Sequence, residues 1–214
     1  MISLTMKYVG IVSYNMGNLH SVAKAISNLG VSIIFLKDPR DFDLVSVIIL
    51  PGVGSFNMAM KELQRLNFVE PLKLWIKQKK PFIGICLGLQ LLFDYSYEGN
   101  CEGLGIIKGS VVKFNPYNVH KIPHMGWNKL LINSTNDKYF ISLGENNWMY
   151  FVHNYYVITQ ISNLESSYII YGKQKILASI THENIFAIQF HPEKSGFKGL
   201  CLLNNFLKYH SCLS

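Results

Sequence analysis

Short apolar segments alternate with helical patterns in the first half of the chain, and this alternation restricts the fold more than any other feature. The strand-like segments are rich in β-branched residues and cover residues 8–13, 31–36, 45–50 and 81–85. Apolar residues recur at helical spacing over residues 19–29, before Gly30, and over residues 68–77, where Pro71 falls in the first turn. Strands that are apolar on both faces and joined by helices form a parallel sheet covered on both sides. The sequence therefore predicts an α/β fold with a mostly parallel central sheet flanked by helices.

Beyond Gly105 the strand-like segments become shorter. They cover residues 106–107, 111–114, 148–152, 155–159, 168–171, 176–180 and 186–190. Such segments are typical of antiparallel hairpins, so the C-terminal half is expected to extend the sheet in antiparallel fashion before a closing helix at residues 199–209. Because the chain contains no internal repeat, low-complexity tract or linker, we predict a single domain over residues 1–214.

Composition and charge exclude several classes of protein. No window approaches the roughly 18 apolar residues of a membrane-spanning helix, and the first residues lack the features of a secretory leader, which predicts a soluble, cytoplasmic protein. The net charge of +7 comes from dispersed lysines, and the densest run, residues 77–80, lies at an expected helix end, so no nucleic-acid partner is predicted. The cysteines form no C-x-x-C pair and the histidines show no ligand spacing, so neither a metal nor an organic cofactor is expected.

One cysteine stands between two glycines at the end of the fourth apolar segment, in Gly84-Ile-Cys86-Leu-Gly88. A helical pattern over residues 87–93 follows it, which is the context of a nucleophile elbow with cysteine in place of serine. The glycines let the backbone pass closely at a strained turn that lifts the thiol above the carboxyl edge of the sheet. A helix N-terminus also favours the thiolate. A buried cysteine at a tight turn is the alternative interpretation.

A histidine and a glutamate follow the last apolar segment, in His191-Pro-Glu193. Proline biases His191 to an extended conformation, and side chains two positions apart on an extended backbone lie on the same side. Glu193 can then fix the tautomer of the imidazole, while the other ring nitrogen takes a proton from a thiol. The alternative is a surface loop with an incidental ion pair.

A glycine-containing loop, Pro51-Gly-Val-Gly54, ends the third apolar segment. Such a loop can turn a backbone N–H toward an oxyanion and thereby act together with the N–H of Leu87, which follows the cysteine. The alternative is an ordinary β-to-α turn. A phosphate-binding loop is not favoured, because the P-loop spacing and its lysine are missing.

Taken together, Pro51-Gly-Val-Gly54, the Cys86 elbow with Gln90, and His191-Pro-Glu193 resemble the class I glutamine amidotransferases. Further segments are similar to the glutaminase subunits of imidazole glycerol phosphate synthase, namely residues 17–19, 123–128, 150–153 with 155–156, and 191–196. The resemblance covers essentially the whole chain. It implies one glutamine amidotransferase type 1 domain.

This resemblance implies an activity and a partner. L-Glutamine would be hydrolysed to glutamate and ammonia, and the ammonia would pass through a tunnel to a (β/α)8-barrel cyclase in a heterodimer. The complex would make imidazole glycerol phosphate and AICAR in histidine biosynthesis. By position, Cys86 would form a glutamyl thioester, His191 would act as base and then as acid, and Glu193 would orient His191.

The resemblance also implies which residues bind. Backbone donors to the oxyanion would come from Gly52, Val53 and Leu87, once the glycine loop has turned a peptide in response to the partner's ligand. The glutamine substrate would be held by Gln90, Asn154 and Tyr155. The surface facing the cyclase would include Asn18, Trp127, Tyr150 and Lys194. Core or rim packing of the two aromatic residues and a helix N-cap role for Asn18 are the alternatives.

Other functions remain open at this point. Ser13 and Asn154 stand where these glutaminases commonly have aspartate and serine or threonine. A second glutaminase and cyclase pair in bacteria supplies ammonia for amidating a surface-polysaccharide sugar, and the chain could belong to that pair. It could also be a partner-independent cysteine hydrolase acting on γ-glutamyl peptides, or a silent binding module.

Overall fold

The computed structural model describes residues 8–133, 138–141, 143–161 and 164–212. Residues 1–7, and with them the expectation about a leader, lie outside the described residues. The strands are β1 (Tyr8–Val12), β2 (Ile33–Leu36), β3 (Val45–Leu50), β4 (Phe82–Ile85), β5 (Phe93–Ser96), β6 (Cys101–Glu102), β7 (Ile107–Lys113), β8 (His124–Lys129), β9 (Leu131–Ile132), β10 (Trp148–His153), β11 (Tyr155–Ile158), β12 (Glu165–Tyr171), β13 (Gln174–His182) and β14 (Ile185–Ile188). The α-helices are α1 (Leu19–Ser27), α2 (Phe56–Arg65), α3 (Val69–Lys77), α4 (Leu87–Gln90) and α5 (Gly196–Tyr209).

Eight strands form the central sheet in the order β2-β1-β3-β4-β14-β13-β12-β9. The first five of these strands pair in parallel, which confirms the predicted parallel sheet. Successive residues of β3 point to opposite faces, so that Val47 belongs to one hydrophobic core and Ile48 to the other. Helices α1 and α5 cover the first core, while α2 and α3 cover the second.

The antiparallel extension is only partly as predicted. Strands β13, β12 and β9 extend the central sheet in antiparallel fashion, but β14 pairs in parallel with β4 and belongs to the parallel part. Strands β8 and β10 form a separate two-stranded sheet, and β11-β7-β5-β6 form a four-stranded one. The apolar pattern of a short strand identifies the strand but not its partner, because pairing depends on residues far away in sequence.

The predicted helix after Cys86 is wrong in length. Helix α4 is a single turn that ends at Gln90, and the next residues lead into β5. The carbonyl groups of Leu91, Leu92 and Phe93 accept hydrogen bonds from residues 104–107 instead of from a continuing helix. Three consecutive side chains that are all buried cannot lie on one face of a helix. The N–H groups of the segment after β6 instead provide hydrogen bonds to the backbone carbonyl groups of these residues.

Other predicted elements agree with the structure. Helix α1 ends at Ser27, three residues before Gly30, which has a φ of +82°. Asn18 caps this helix by accepting a hydrogen bond from the backbone N–H of Ser21 at 3.3 Å. The lysine run begins at the end of α3, as expected. Among the described residues, no helix is both long enough and apolar enough to cross a membrane.

Candidate active site

The three loops singled out in the sequence lie side by side. They follow β3, β4 and β14, which are neighbours in the parallel part of the sheet and end at the same edge. Residues at the carboxyl edge of such a sheet are where α/β proteins place ligands. The topology therefore brings Pro51, Cys86 and His191 to one place although they are far apart in sequence.

Cys86 occupies a strained turn. Its φ of 55° and ψ of −104° lie outside the regions that residues with a Cβ ordinarily adopt. A Cβ added at Gly84 would lie 2.7 Å from the carbonyl oxygen of Gly88, and one added at Gly88 would collide with the carbonyl oxygen of Leu50. Both glycines are therefore required for the close passage of strand, turn and helix, as the sequence predicted.

His191 and Glu193 form a buried pair. The His191 Nδ1 lies 2.8 Å from Oε1 of Glu193, and the two side chains are 3% and 2% exposed. His191 is extended, and Glu193 lies in the 3-10 helix Pro192–Lys194. Burial lowers the pKa of His191, but Cys86 and Glu193 favour the imidazolium and together raise its pKa above the ordinary value. Nε2 has no hydrogen-bond partner among the described residues and is thus available for proton transfer.

The oxyanion donors predicted from the glycine loop are not assembled in this structure. The N–H of Leu87 donates to the carbonyl oxygen of Gly52 at 3.4 Å, and Tyr14 Oη donates to the carbonyl oxygen of Pro51 at 2.8 Å. In a trans peptide the N–H points opposite to the C=O, so the N–H of Val53 points away from Leu87. Rotating the Gly52–Val53 peptide by about half a turn would direct the N–H of Val53 toward Leu87 and the carbonyl group of Gly52 away from it.

A cavity of 320 Å³ opens beside the thiol. It is lined by Val53, Gly54, Cys86, Leu87, Gln90, Glu98, Pro123, Val152, His153, Asn154 and Tyr155. All three residues expected to hold glutamine are therefore part of its wall. Gln90 donates through Nε2 to the Tyr155 carbonyl at 3.0 Å and to Oε1 of Gln189 at 3.1 Å, which leaves its own carbonyl oxygen for a ligand.

Glu98 also lines the cavity, although no role for it was predicted from the sequence. Its Oε2 accepts a hydrogen bond from the backbone N–H of Phe56, at the start of α2, at 2.9 Å. This contact ties the carboxylate to the wall of the cavity. A single acidic residue in the loop between β5 and β6 has no local pattern that points to a site, so only the fold could identify it.

The comparisons with known proteins agree with this geometry. The family model of class-I glutamine amidotransferases matches residues 11–208. The chain belongs to this family. The predicted enzyme class, a glutamine-hydrolysing amidotransferase, is thereby confirmed.

Two curated relatives of this amidotransferase are both named imidazole glycerol phosphate synthase subunit HisH. The one from Cyanidium caldarium is 47% identical, over 94% of this chain and 99% of the relative. The one from Prochlorococcus marinus subsp. pastoris is 44% identical, over 95% of this chain and 98% of the relative. The solved structure of PurLQS from Thermotoga maritima is 20% identical, with a TM-score of 0.73 over 95% of this chain and 99% of that chain, and supports the fold.

An exposed face of the amidotransferase adjoins the His191 turn. Strands β8 and β10 pair so that alternate residues point outward, and we call this set the aromatic face: Met125, Trp127, Lys129, Trp148, Tyr150 and Val152. Trp127 is 54% exposed, and its ring centroid lies 6.0 Å from that of Tyr150. The backbone of Tyr150 accepts a hydrogen bond from the N–H of His191 at 2.9 Å. Lys194 is exposed on the same turn.

Two histidines of the amidotransferase are buried beside the cavity, and one of them, His153, lines it. Nδ1 of His124 and Nε2 of His153 are 2.9 Å apart. Burial lowers the pKa of His124 to about 4 and that of His153 to about 3, so both are neutral at physiological pH. Within the described part of the chain, no group of three or more His, Cys, Asp or Glu side chains could hold a metal ion.

Proposed function

We propose that this chain is the glutaminase subunit of an imidazole glycerol phosphate synthase. It hydrolyses L-glutamine to glutamate and ammonia and delivers the ammonia to a (β/α)8-barrel cyclase, which uses it in histidine biosynthesis. The observation that carries the proposal is the buried His191–Glu193 pair beside a strained Cys86 at the cavity, in a chain that matches HisH relatives over almost their whole length.

The proposed reaction uses three side chains. His191 Nε2 takes the thiol proton while Glu193 holds the imidazole through Nδ1. The Cys86 sulfur attacks the side-chain amide carbon of glutamine, and His191 returns the proton to the leaving nitrogen, so that ammonia departs and a glutamyl thioester remains. Water, activated by His191, then attacks the thioester and releases glutamate and the thiolate.

The cavity wall suits the amino-acid end of glutamine. The Glu98 carboxylate and the free carbonyl oxygen of Gln90 are acceptors that match an α-ammonium group. Asn154 and the backbone at Tyr155 line the same wall and complete the proposed glutamine site. An asparagine at position 154 retains hydrogen-bonding capacity where serine or threonine is usual in these glutaminases.

The unassembled oxyanion hole supports a dependence on the partner. With the Leu87 N–H occupied by the Gly52 carbonyl, the developing negative charge lacks donors that are worth several kcal/mol of transition-state stabilisation. The loop lies close to an exposed surface segment, because a Cβ at Gly17 would lie 3.3 Å from the Cα of Gly52, and Asn18, which follows Gly17, is exposed. A partner contact at Asn18 can thereby favour the turned peptide.

The aromatic face is the proposed docking surface for the cyclase. It is exposed, rich in aromatic side chains and joined through the Tyr150 backbone to the turn that carries His191. Aromatic residues are the usual anchors of such interfaces. Asn18 and Lys194 complete the proposed interface. The single domain over residues 1–214 and the cytoplasmic location stay predictions.

The experiment is to measure glutamate release from glutamine by the purified chain, alone and with the histidine-pathway cyclase of its own organism and that cyclase's nucleotide ligand. We expect a stimulation on the order of a hundredfold, corresponding to a coupling of about 3 kcal/mol. Cys86→Ala, which should fold normally, serves as the inactive control. Residual glutamate release by this variant would contradict the role of Cys86.

The same assay separates the alternatives. If the cyclase does not stimulate glutamate release but the glutamine-like electrophile diazo-oxo-norleucine still labels Cys86, the ammonia would be used by a surface-sugar synthase instead. Strong activity without a partner, together with cleavage of γ-glutamyl peptides, would indicate an independent hydrolase. Absence of labelling would indicate a binding module. The HisH relatives favour the histidine pathway among these outcomes.

A further inference from the structure

We propose that Gln189 stabilises the Cys86 thiolate, and that a buried chain of side chains keeps its amide group in the donating orientation. The proposal rests on the proposed function in taking Cys86 as the nucleophile. It adds a group to the reaction that lies outside the triad, outside the oxyanion donors and outside the glutamine site.

Gln189 is completely buried and touches the reacting atom. It follows β14 directly, and its backbone N–H donates to the carbonyl oxygen of Ala178 at 2.8 Å, which fixes its main chain against β13. Its Nε2 lies 3.6 Å from the Cys86 sulfur. Its Oε1 accepts the hydrogen bond from Gln90.

The buried chain runs from Gln189 through Gln90 and the Tyr155 carbonyl to His153 and His124. The positions of the hydrogens in it follow from its histidine end. The Tyr155 carbonyl oxygen can only accept, so Nδ1 of His153, at 2.8 Å, carries the hydrogen. Because burial keeps His153 neutral, its Nε2 is an acceptor and Nδ1 of His124 donates to it. The histidine pair is thereby limited to one arrangement, with His153 donating toward Tyr155.

The same carbonyl then orients both glutamines. Only the NH2 end of Gln90 can bind the Tyr155 oxygen, and its second hydrogen points to Gln189. If the Gln189 amide were flipped, its NH2 group would face the NH2 group of Gln90. Its oxygen would then face the sulfur of Cys86. Each unsatisfied buried group costs about 1–3 kcal/mol. A donor therefore faces Cys86.

A donor at this place acts twice in the reaction. The sulfur is negative when His191 has taken its proton, and it becomes negative again when water attacks the thioester and the carbon–sulfur bond breaks with its electron pair on sulfur. An N–H directed at the sulfur stabilises both states. The carbonyl oxygen of Val152, 3.9 Å from the sulfur, can accept only from the neutral thiol and repels the thiolate.

The test is the rate of Cys86 alkylation by iodoacetamide between pH 5 and 10, followed by mass spectrometry of the purified chain. In Gln189→Met the donor is lost, and in Gln189→Glu a carboxylate of the same shape replaces it. We expect the midpoint of the pH profile to rise by about one pH unit in Gln189→Met, a tenfold loss of thiolate at fixed pH. Gln189→Glu should raise it further.

The matched control is Ser179→Ala. Ser179 is a buried polar residue of the adjacent strand β13, and its Oγ bonds to Ser167 at 2.7 Å and does not reach the sulfur. Its midpoint should equal that of the unmodified chain. The proposal would be overturned if the midpoints of the Gln189 variants equalled that of the unmodified chain. It would also be overturned if the midpoint of Gln189→Glu lay below that of the unmodified chain.

A second variant covers the case in which neither Gln189 variant folds. Gln90→Met leaves Gln189 in place but removes the partner that holds its oxygen, so the midpoint should rise by a smaller amount in the same direction. An unchanged midpoint in Gln90→Met would then overturn the proposal. If the variants show these midpoint shifts but the unmodified protein releases no glutamate with the cyclase, the proposed function would be refuted and this inference would stand.

Discussion

At the scale of single residues, Cys86 shows how a reactive group is held in an unfavourable conformation. Its φ of 55° costs about 1–3 kcal/mol and is imposed by neighbouring hydrogen bonds. Its N–H donates to Ile188 of β14 at 2.7 Å, and its carbonyl accepts from the N–H of Leu89 at 3.1 Å. The thiol is consequently presented at the cavity by backbone that belongs to the sheet.

Replacing Cys86 by glycine should relieve this strain. Glycine adopts positive φ at no steric cost, so we expect Cys86→Gly to raise the free energy of unfolding by about 1 kcal/mol relative to Cys86→Ala, which retains the strain. Both variants should release no glutamate. Urea denaturation of the two variants measures the difference, and a less stable glycine variant would contradict the strain argument.

At the scale of elements, the turn that carries His191 and Glu193 is bonded to β10. Ser195 Oγ donates to the carbonyl oxygen of His191 at 2.6 Å and accepts from the N–H of Tyr150 at 3.0 Å. No role for Ser195 was predicted from the sequence. Its two hydrogen bonds connect the His191 turn to β10, and β10 also carries part of the aromatic face.

Loss of this hydroxyl should affect both stability and rate. We expect Ser195→Ala to lower the free energy of unfolding by about 1–3 kcal/mol and the partner-stimulated kcat about tenfold, because His191 loses its fixed position. Ser179→Ala, which removes another buried hydroxyl, should destabilise comparably with little change in kcat. Equal kcat values for the two variants would show that Ser195 is only structural.

The aromatic face leads to a prediction at the same scale. We expect Trp127→Ala to weaken binding of the cyclase by about 2 kcal/mol, roughly a thirtyfold rise in Kd. Leu74→Ala is the matched control, since Leu74 is also 54% exposed but lies on α3, which packs on the opposite face of the sheet. Titration calorimetry with the purified subunits measures both, and equal Kd values would exclude this face as the interface.

At the scale of the whole molecule, the sheet separates two cores and the site lies where three strands end between them. The neutral histidine pair is packed against aromatic residues of the first core, and the ring centroids of His124 and Tyr171 are 4.0 Å apart. His124 and His153 are 3% and 6% exposed. Their protonation is therefore linked to the unfolding of the whole domain.

This linkage predicts a loss of stability in acid. The unfolded chain protonates both histidines near pH 6.5, whereas the folded chain does so only near pH 4 and pH 3. The unfolded state thus binds more protons in this window, and the free energy of unfolding should fall as pH drops from 6.5 to 4, by up to about 1.4 kcal/mol per unit for each histidine. His191 has a raised pKa and stays protonated in the folded state, so it does not contribute to the loss of stability in acid.

The measurement is urea denaturation at several pH values for the unmodified chain, His153→Gln and His20→Gln. The slope of stability against pH should decrease in His153→Gln. It should stay unchanged in His20→Gln, because His20 is exposed on α1. An unchanged slope in both variants would show that the buried pair does not titrate on unfolding.

Much of the site could be predicted from the sequence because its signals are local. Glycines at positions 84 and 88, proline after His191 and the spacing of His191 and Glu193 each restrict the backbone within a few residues, and parallel strands joined by helices place their ends at one edge. The family motifs add the order in which these segments occur. For this reason Cys86, His191 and Glu193 lie at one edge of the sheet, while their catalytic roles stay predictions.

Tertiary structure alone decided the features that depend on distant partners. The separate sheets containing β8 and β10 or β5 and β7, the single turn of α4, and the places of Glu98, Ser195 and Gln189 follow from pairings between segments far apart in the chain. The orientation of the Gly52 peptide depends likewise on Leu87, which is remote in sequence. Local patterns specify backbone conformation, whereas hydrogen-bond partners and exposed faces are selected only when the whole chain has packed.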